Sequence, residues 1–287
     1  MKEHRFLYPI YLMARVLEVS RSGYYTWVKA RPSSRAVRHD LLKPLIEQIH
    51  IEGRKTYGGR KVADELKSRG IKVGRDQVAR LRKAAGLYCV QKAKFKATTN
   101  SNHNLPISDN LLGQDFKMDF PGQAWGADIT YIGTDEGWLY LAAVKDFYTK
   151  EVVGYAMSNR MTKELVIEAL KKALRYRKPA PGCIMHTDRG SQYCALEYQK
   201  IVKEAGFRSS MSRRGNCYDN APAESLWGTL KTELVYQRKF ATRLEAEAPI
   251  REYIEVFYNR IRRHASIGNM APAVFAQKTH IERRKAA

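Results

Sequence analysis

The hydrophobic periodicity of this 287-residue chain changes near Gln123. Before that position apolar residues recur mainly at helical spacing, and after it short runs with period-two alternation appear. Residues 125–132 and 138–144 are predicted to be strands joined by the turn at 133–137, a pattern typical of a hairpin. The sequence therefore predicts all-α modules followed by an α/β domain with a mixed sheet.

The rest of the α/β domain is predicted to alternate between strands and helices. A third strand is expected over residues 152–157, and a helix over 162–177 begins at the capping residue Thr162. The later elements are shorter or strongly amphipathic, and comprise strands at 183–186 and 207–211 and helices at 192–204, 221–235 and 244–262. This gives five strands in a domain placed at residues 121–275.

Two helical modules are predicted ahead of the sheet. Residues 1–36 contain two short helices, the second capped by Ser20. This segment could be part of a helix-turn-helix or an amphipathic arm that packs on a partner, and the residues favour neither. Residues 37–90 contain three helices with an Arg69-Gly70 stop ahead of the last, which predicts a helix-turn-helix domain.

A net charge of +22, from 51 Lys and Arg against 29 Asp and Glu, indicates a polyanionic partner. Each phosphate that a basic residue neutralises releases condensed counterions, which favours nucleic-acid binding. A merely soluble basic protein or a ribosome-associated one is the alternative. Residues 1–120 carry 24 basic and 11 acidic residues, so the DNA-binding surface is expected there. Residues 91–120 are predicted to be a basic linker and residues 276–287 a basic tail.

The third helix of the 37–90 module carries residue types that contact base edges and phosphates. A solvated helix face with ordinary charges is the alternative. The candidate DNA contacts are Arg75, Gln77, Arg80 and Lys83 from this helix, with Arg60 and Lys61 upstream of it.

Cysteine spacing and hydropathy exclude two classes of protein. The four cysteines form no Cys-x-x-Cys pair, so a structural zinc site is not expected. No apolar run approaches the roughly 20 residues that span a bilayer. A cytoplasmic protein with reduced thiols and no membrane partner is therefore expected.

Two aspartates occupy positions that a solvated surface does not explain well. Asp128 lies inside an apolar strand, where an unpaired acid is costly, although an acid on an edge strand is the alternative. Asp188 directly follows the strand 183–186, at the strand end where α/β sheets collect ligand sites. His186 shares its side of the strand and is expected to be a core or supporting residue. Asp146, after the second strand, is a weaker candidate.

A third acid, Glu224, lies in the first turn of the helix predicted at 221–235. Asp219 or Asn220 can cap that helix, whose dipole favours negative charge there, so a simple helix-start acid is the alternative. Lys231 lies seven residues later on the same face, where it could neutralise a phosphate or be a surface charge. Phosphoryl transfer at DNA needs an activated nucleophile and charge relief on the leaving oxygen, and carboxylates that hold two Mg²⁺ ions supply both.

Several motifs resemble a known family. Thirty-five residues separate Asp188 from Glu224, which is similar to the Asp–Asp–35–Glu signature of retroviral integrases and many transposases. The flanking sequences resemble the second-frame product of the bacterial insertion-sequence-three family. They are Val19–Tyr25, Thr56–Val62, Val73–Leu87, Trp125–Ile132, His186–Tyr193, Ser210–Asn220, Ala223–Leu234, Tyr258–His264 and Ala271–Phe275. The departures, Gly126-Ala127 and Ile267–Met270, remove no candidate ligand but are expected to loosen packing.

The resemblance implies an RNase H-like integrase core with a mixed five-stranded sheet, preceded by helix-turn-helix modules. It further implies that Asp128, Asp188 and Glu224 are catalytic metal ligands for two Mg²⁺ ions, with Mn²⁺ as a substitute, and that Lys231 contacts DNA. Such an enzyme cleaves and joins strands at the terminal inverted repeats of an insertion sequence and at target DNA. The implied setting is a nucleoid-associated homo-oligomer in a bacterial cytoplasm, with an upstream-frame (OrfA) partner. A DNA-binding regulator with an inactive core and a nuclease that does not join strands are the competing functions.

Overall fold

The computed structural model describes residues 1–90, 107–213 and 217–286. Helices α1 (Ile10–Val16) and α2 (Arg21–Lys29) form the first segment, as predicted, and the Ser20 hydroxyl caps α2 by accepting a hydrogen bond from the Gly23 amide at 2.9 Å. This segment exposes large apolar side chains, among them Phe6 and Trp27. Its two helices contact mainly each other.

Three helices, α3 (Ser34–Glu52), α4 (Gly59–Ser68) and α5 (Arg75–Ala84), form the predicted helix-turn-helix module. Gly70 adopts a left-handed φ of +81° at the end of α4, a backbone conformation that glycine tolerates without strain. The module has its own core of fully buried aliphatic side chains, which include Ile49, Val62, Leu66 and Val78.

The α/β domain is built on one five-stranded sheet with strand order β3-β2-β1-β4-β5. The first three strands form an antiparallel meander, and β4 and β5 add in parallel beside β1. The strands are β1 (Ala124–Thr134), β2 (Gly137–Asp146), β3 (Val152–Ser158), β4 (Ile184–Thr187) and β5 (Arg208–Met211). The predicted mixed sheet and its opening hairpin are confirmed.

Helices cover both faces of this sheet. One face packs against α6 (Lys163–Tyr176), α7 (Ser191–Cys194) and α8 (Leu196–Glu204). The other packs against α9 (Ala221–Glu233), α10 (Arg243–Glu252) and the π-helix Tyr253–Ile261 that continues α10. The helix predicted over 192–204 is wrong in one respect, because Ala195 adopts an extended conformation and divides it into α7 and α8.

The first unusual sequence, Gly126-Ala127, does not loosen the packing. A Cβ atom at position 126 would lie 2.2 Å from Cζ of Phe147, so the ring of this fully buried phenylalanine fills the space that a side chain would take. In the second, Ile267–Met270, Ile267 is buried and Met270 forms an isolated bridge with His264. Both departures are therefore accommodated by local packing.

Two predicted boundaries fall inside folded structure. Of the predicted linker 91–120, residues 91–106 lie outside the described residues, but residues after 107 pack on the sheet domain: Leu112 is buried with Ala124 and Phe147. The predicted tail 276–287 continues helix α11, which spans Pro272–Ala286. Within the described ranges, no helix has both the length and the apolar content needed to cross a membrane.

Candidate active site

Strand register brings the two aspartates together. β1 and β4 run in parallel with Gly126 opposite His186, and Asp128 and Asp188 each follow two residues later. The two carboxylates consequently lie at the end of β4, on neighbouring chain segments. Electrostatic repulsion from Asp188 raises the pKa of Asp128, second only to the effect of burial.

Asp128 is a buried carboxylate held at both oxygens. Its side chain accepts hydrogen bonds from the Ile129 amide (Oδ1, 2.8 Å) and from the Trp227 indole N–H (Oδ2, 2.9 Å), and the residue is 8% exposed. Burial, with the charges of Asp188 and Glu224, raises its pKa to about 8 despite both hydrogen bonds. An acid in this state is one that a cation would stabilise.

Asp188 is oriented by the turn that follows β4. Its Oδ1 accepts a hydrogen bond from the Gly190 amide at 2.8 Å, and the side chain is half-buried. His186, two residues earlier on the same side of the strand, is fully buried. Its Nδ1 lies 2.9 Å from the Ser210 hydroxyl and its Nε2 lies 2.8 Å from the Asp219 carbonyl oxygen. His186 is thus a core histidine, as the sequence indicates.

Helix α9 presents Glu224, Trp227 and Lys231 along one side, at spacings of three and four residues. Trp227 contacts Asp128 directly, so Glu224 and Lys231 flank that aspartate. Glu224 is exposed, and its pKa is raised by partial burial. Lys231 is 7% exposed, and its Nζ lies 4.7 Å from the ring centroid of Tyr131.

The first turn of α9 is fixed by a lysine that sequence reasoning missed. Lys145 of β2 is 4% exposed, and its ammonium donates a hydrogen bond to the Pro222 carbonyl oxygen at 2.9 Å. Burial lowers the pKa of Lys145 to about 7. Trp227 was also missed, because an aromatic residue in an apolar helix stripe gives no sign that its N–H meets an aspartate.

The proposed cap residues do not cap α9. Asn220 is the N-cap by position but makes no capping hydrogen bond through its side chain. Asp219 is fully buried, and accepts hydrogen bonds from the Arg213 guanidinium, Asn110 and Gln114 instead. The Arg213 contact holds the pKa of Asp219 far below its usual range. Asp219 therefore ties residues 110–114 to the segment before α9.

The weaker candidate Asp146 has a structural role. Its carboxylate accepts hydrogen bonds from the amides of Gly122, Tyr148 and Thr149 and from the Trp125 indole. Tyr148 and Thr149 lie in the β2–β3 connection, whereas Gly122 and Trp125 lie just before and within β1. Asp146 is thus committed to that turn and is separate from the carboxylates near α9.

No three His, Cys, Asp or Glu side chains within residues 1–90, 107–213 and 217–286 are grouped closely enough to hold one metal ion. Asp128 and Asp188 are neighbours, whereas Glu224 contributes only the smallest of the acidic effects on Asp128. What the structure brings together is therefore a pair of aspartates with the glutamate on an adjoining, exposed helix turn.

The candidate DNA contacts divide into two groups. Arg60, Arg75 and Gln77 line a groove of about 720 Å³ on the helix-turn-helix module, and Arg80 and Lys83 are exposed on α5. The groove adds basic residues absent from the prediction, namely Arg38, Lys67 and Lys72.

Lys61 differs from this group. It is half-buried with its ammonium 5.4 Å from the Tyr57 ring centroid, and burial together with the charge of Arg262 lowers its pKa to about 8. It lies between the helix-turn-helix module and the sheet domain.

The raised pKa of Asp128 predicts a pH-dependent stability in metal-free protein. The folded carboxyl titrates near 8 and the unfolded one near 3.8, so the folded state binds the extra proton between these values. Its contribution to stability is complete below about pH 4 and is lost as the pH rises through about 8. Urea unfolding in chelator should show that the stability of wild type, relative to that of Asp128→Asn, falls between about pH 5 and about pH 9. An equal loss in both proteins would contradict the assignment.

Family models match most of the chain. A model described as an integrase core domain matches residues 119–217, and a second integrase core domain model matches residues 205–272. A model described as an HTH-like domain matches residues 38–95.

Two relatives align over nearly their whole length. The chain is 57% identical over 268 residues to the insertion element IS600 uncharacterized 31 kDa protein of Shigella sonnei, covering 93% of this chain and 98% of that protein. It is 40% identical over 279 residues to transposase InsF for insertion sequence IS3A of Escherichia coli (strain K12), covering 96% and 97%. Among solved structures, the HTLV-2 integrase catalytic core domain in complex with magnesium aligns with a TM-score of 0.45 at 13% identity, covering 56% of this chain and 99% of that chain.

The sheet topology and the integrase-core matches define a polynucleotidyl transferase with an RNase H-like core and a helix-turn-helix region. Sequence identity to the relatives then identifies the family within this class. The chain belongs to the IS3 family of transposases. The predictions of this family, of the integrase core and of a transposase that cleaves and joins DNA strands are confirmed.

Proposed function

We propose that Asp128, Asp188 and Glu224 are the catalytic residues of this transposase and together bind two divalent metal ions. The observation that carries the proposal is the buried Asp128, whose pKa is raised by burial and by the charges of Asp188 and Glu224. A structural acid is normally relieved by a basic partner, as Asp219 is by Arg213. Asp128 lies near the Lys231 charge, yet burial and the two neighbouring acids keep its pKa raised.

The donor chemistry of these residues fits Mg²⁺, with Mn²⁺ as a substitute, because hard cations take carboxylate oxygens. Asp128 and Asp188 would hold the ions with Glu224, whose place in the exposed first turn of α9 leaves it open to a ligand. When bound, a pair of such ions activates the attacking oxygen and relieves charge on the leaving oxygen.

The chain's own residues prepare this site in three ways. Trp227 and the Ile129 amide fix the two oxygens of Asp128, so little side-chain freedom is lost when a ligand binds. Lys145 anchors the turn that carries Glu224. Lys231 places a positive charge beside Asp128, where a DNA phosphate would be neutralised.

In the proposed reaction, water hydrolyses one strand at an element end and leaves a 3′ hydroxyl, which then attacks a second phosphodiester. No serine or tyrosine nucleophile is required. The full chain, with and without an upstream-frame (OrfA) partner, should be incubated with a duplex carrying the element's terminal inverted repeat, target DNA and Mg²⁺, and the products sequenced. Cleaved and joined products that vanish in chelator support the proposal. A covalent protein–DNA adduct, or products that persist in chelator, would overturn it.

The same products separate the competing functions. DNA binding without cleavage under full supply of metal and partner indicates a regulator with an inactive core, and cleavage without joined products indicates a nuclease. We further propose that the active complex is a homo-oligomer that engages terminal repeats and target DNA in the bacterial cytoplasm, at the nucleoid. Sedimentation of the DNA-bound protein measures the oligomer directly.

The helix-turn-helix module is proposed to bind DNA through the basic groove and the exposed face of α5. Arg80→Ala and Lys83→Ala should each weaken terminal-repeat binding and lower the slope of log K against log salt by about 1, since each removes one phosphate contact. Fluorescence anisotropy over a salt series measures this slope. Lys171→Ala, an equal change on the exposed face of α6, is the matched control. Unchanged slopes in both α5 variants would remove these residues from the interface.

A further inference from the structure

Two motifs from distant parts of the chain meet in the structure. The first, Thr56–Val62, spans the start of α4, and the second, Tyr258–His264, spans the end of the π-helix. The buried Tyr57 hydroxyl donates a hydrogen bond to the Ile261 carbonyl oxygen at 2.9 Å and accepts one from the Arg263 amide at 3.1 Å. The contact links the helix-turn-helix module to the sheet domain.

Arg263 extends this contact along α4. Its guanidinium pairs with Glu65, with Nε 2.6 Å from Oε2, and Nη2 donates to the Ser68 hydroxyl at 3.0 Å. The third donor, Nη1, binds the Asn269 carbonyl oxygen at 2.8 Å. One side chain thus uses all of its donor groups to hold α4 against the end of the sheet domain.

Arg262, the preceding residue, points to the other helix. Its Nε and Nη2 atoms bind both carboxylate oxygens of Glu233 at distances of 2.7–3.0 Å, and the two side chains are only 13% and 7% exposed. Glu233 is the last residue of α9, and Glu224 lies in the first turn of the same helix. The Tyr253 hydroxyl donates a further hydrogen bond to Glu233 at 2.7 Å.

A second contact stiffens the junction from α3. Arg54, just after α3, has its guanidinium carbon 4.3 Å from the ring centroid of Phe257 and pairs with Glu252. The junction therefore involves a cation–π contact, three ion pairs and a buried hydroxyl. Bidentate arginine contacts of this kind fix direction as well as distance.

We propose that Arg262 and Arg263 are positioning residues that set, within one chain, the distance between the DNA sequence held by the helix-turn-helix module and the phosphodiester that is cut. The two residues are adjacent in the chain, and Arg262 binds α9 whereas Arg263 binds α4. A shift of either helix is therefore transmitted to the other. This inference rests on the proposed function, because it takes α9 as a carrier of the catalytic site.

The rate of cleavage is sensitive to small displacements of the reacting groups. A misplacement of about 1 Å at a reacting centre can lower a rate by about 100-fold, although nothing that touches the substrate has changed. Loosening the Arg263 contacts should therefore leave each domain folded. It should make the position of the cut, relative to the bound DNA sequence, less uniform.

The experiment maps cut positions on the terminal-repeat duplex for full-length Arg263→Ala. We expect binding within about 2-fold of wild type, cleavage lowered by about 10-fold or more, and cuts spread over neighbouring phosphodiesters. Arg260→Ala, an equal change at an exposed site near the end of the π-helix, should cut like wild type. Tyr57→Phe, which removes one hydroxyl, should give a weaker spread and decides the question if Arg263→Ala does not fold. A single wild-type cut at the wild-type rate in both junction variants overturns the inference.

A second measurement does not depend on cleavage. Spin labels carried by noncanonical amino acids at exposed Ala84 of α5 and Lys171 of α6 report the distance between the domains. A distribution that is narrow in wild type and broad in Arg263→Ala supports the junction even if wild type proves unable to cut. Equal widths overturn it. Failure of the proposed function would instead appear as wild-type inactivity with a narrow distribution.

Discussion

Asp128→Asn is expected to abolish metal-dependent strand cleavage, with a loss of about 1000-fold or more, while binding to the terminal-repeat duplex survives. The substitution keeps the shape of the side chain and its contact with Trp227, because an amide oxygen can still accept the indole hydrogen bond. It removes the negative charge that a divalent cation requires. Cleavage in Mg²⁺ and binding in chelator are measured on the same preparation.

Asp135→Asn supplies the matched control, since Asp135 lies exposed in the β1–β2 turn. The same change of charge there should leave cleavage unaltered. Nicking by Asp128→Asn at the rate of wild type would refute the assignment of Asp128 and, with it, the proposed carboxylate site.

Arg262→Met is expected to lower the free energy of unfolding by about 3–5 kcal/mol. The methionine can fill much of the volume of the arginine stem, but it leaves the Glu233 carboxylate buried without the cation that binds both of its oxygens. The loss thus reflects an uncompensated buried charge. Urea unfolding followed by circular dichroism measures it.

Two further variants help to interpret the measured loss of stability. Lys172→Met removes the cation of the exposed Lys172–Glu168 pair and should cost less than about 1 kcal/mol. Glu233→Gln combined with Arg262→Met removes both charges and should recover a large part of the stability. If the single Arg262 variant is as stable as the Lys172 variant, the pair contributes no more than a surface contact.

The order of elements was predictable from the sequence because each depends on local periodicity. The hairpin β1–β2 follows from period-two alternation around a polar turn, and Asp128 and Asp188 are conspicuous because they interrupt or end apolar strands. The break at Ala195 was not predictable, because both sides of it keep helical spacing.

Contacts between distant segments were not predictable from the sequence. Lys61 is of a residue type that contacts DNA, and its position over the Tyr57 ring depends on the packing of α4 and is not visible in the local sequence. Asp219 resembles a helix cap, but its partners Asn110, Gln114 and Arg213 come from separate stretches. In both cases local chemistry allows more than one set of contacts, and tertiary packing determines which of them form.

The shortness of β4 leaves the Ile129 amide available to Asp128. β4 pairs with β1 at only three positions and ends at Thr187, whereas β1 continues to Thr134. The Ile129 amide, beyond the last paired residue, donates to the carboxylate of Asp128. Lengthening β4 by two residues would offer that amide a competing backbone partner. The fixed orientation of Asp128 therefore depends on one strand stopping early, and an insertion there should disturb the proposed carboxylate site while leaving every proposed ligand in the sequence.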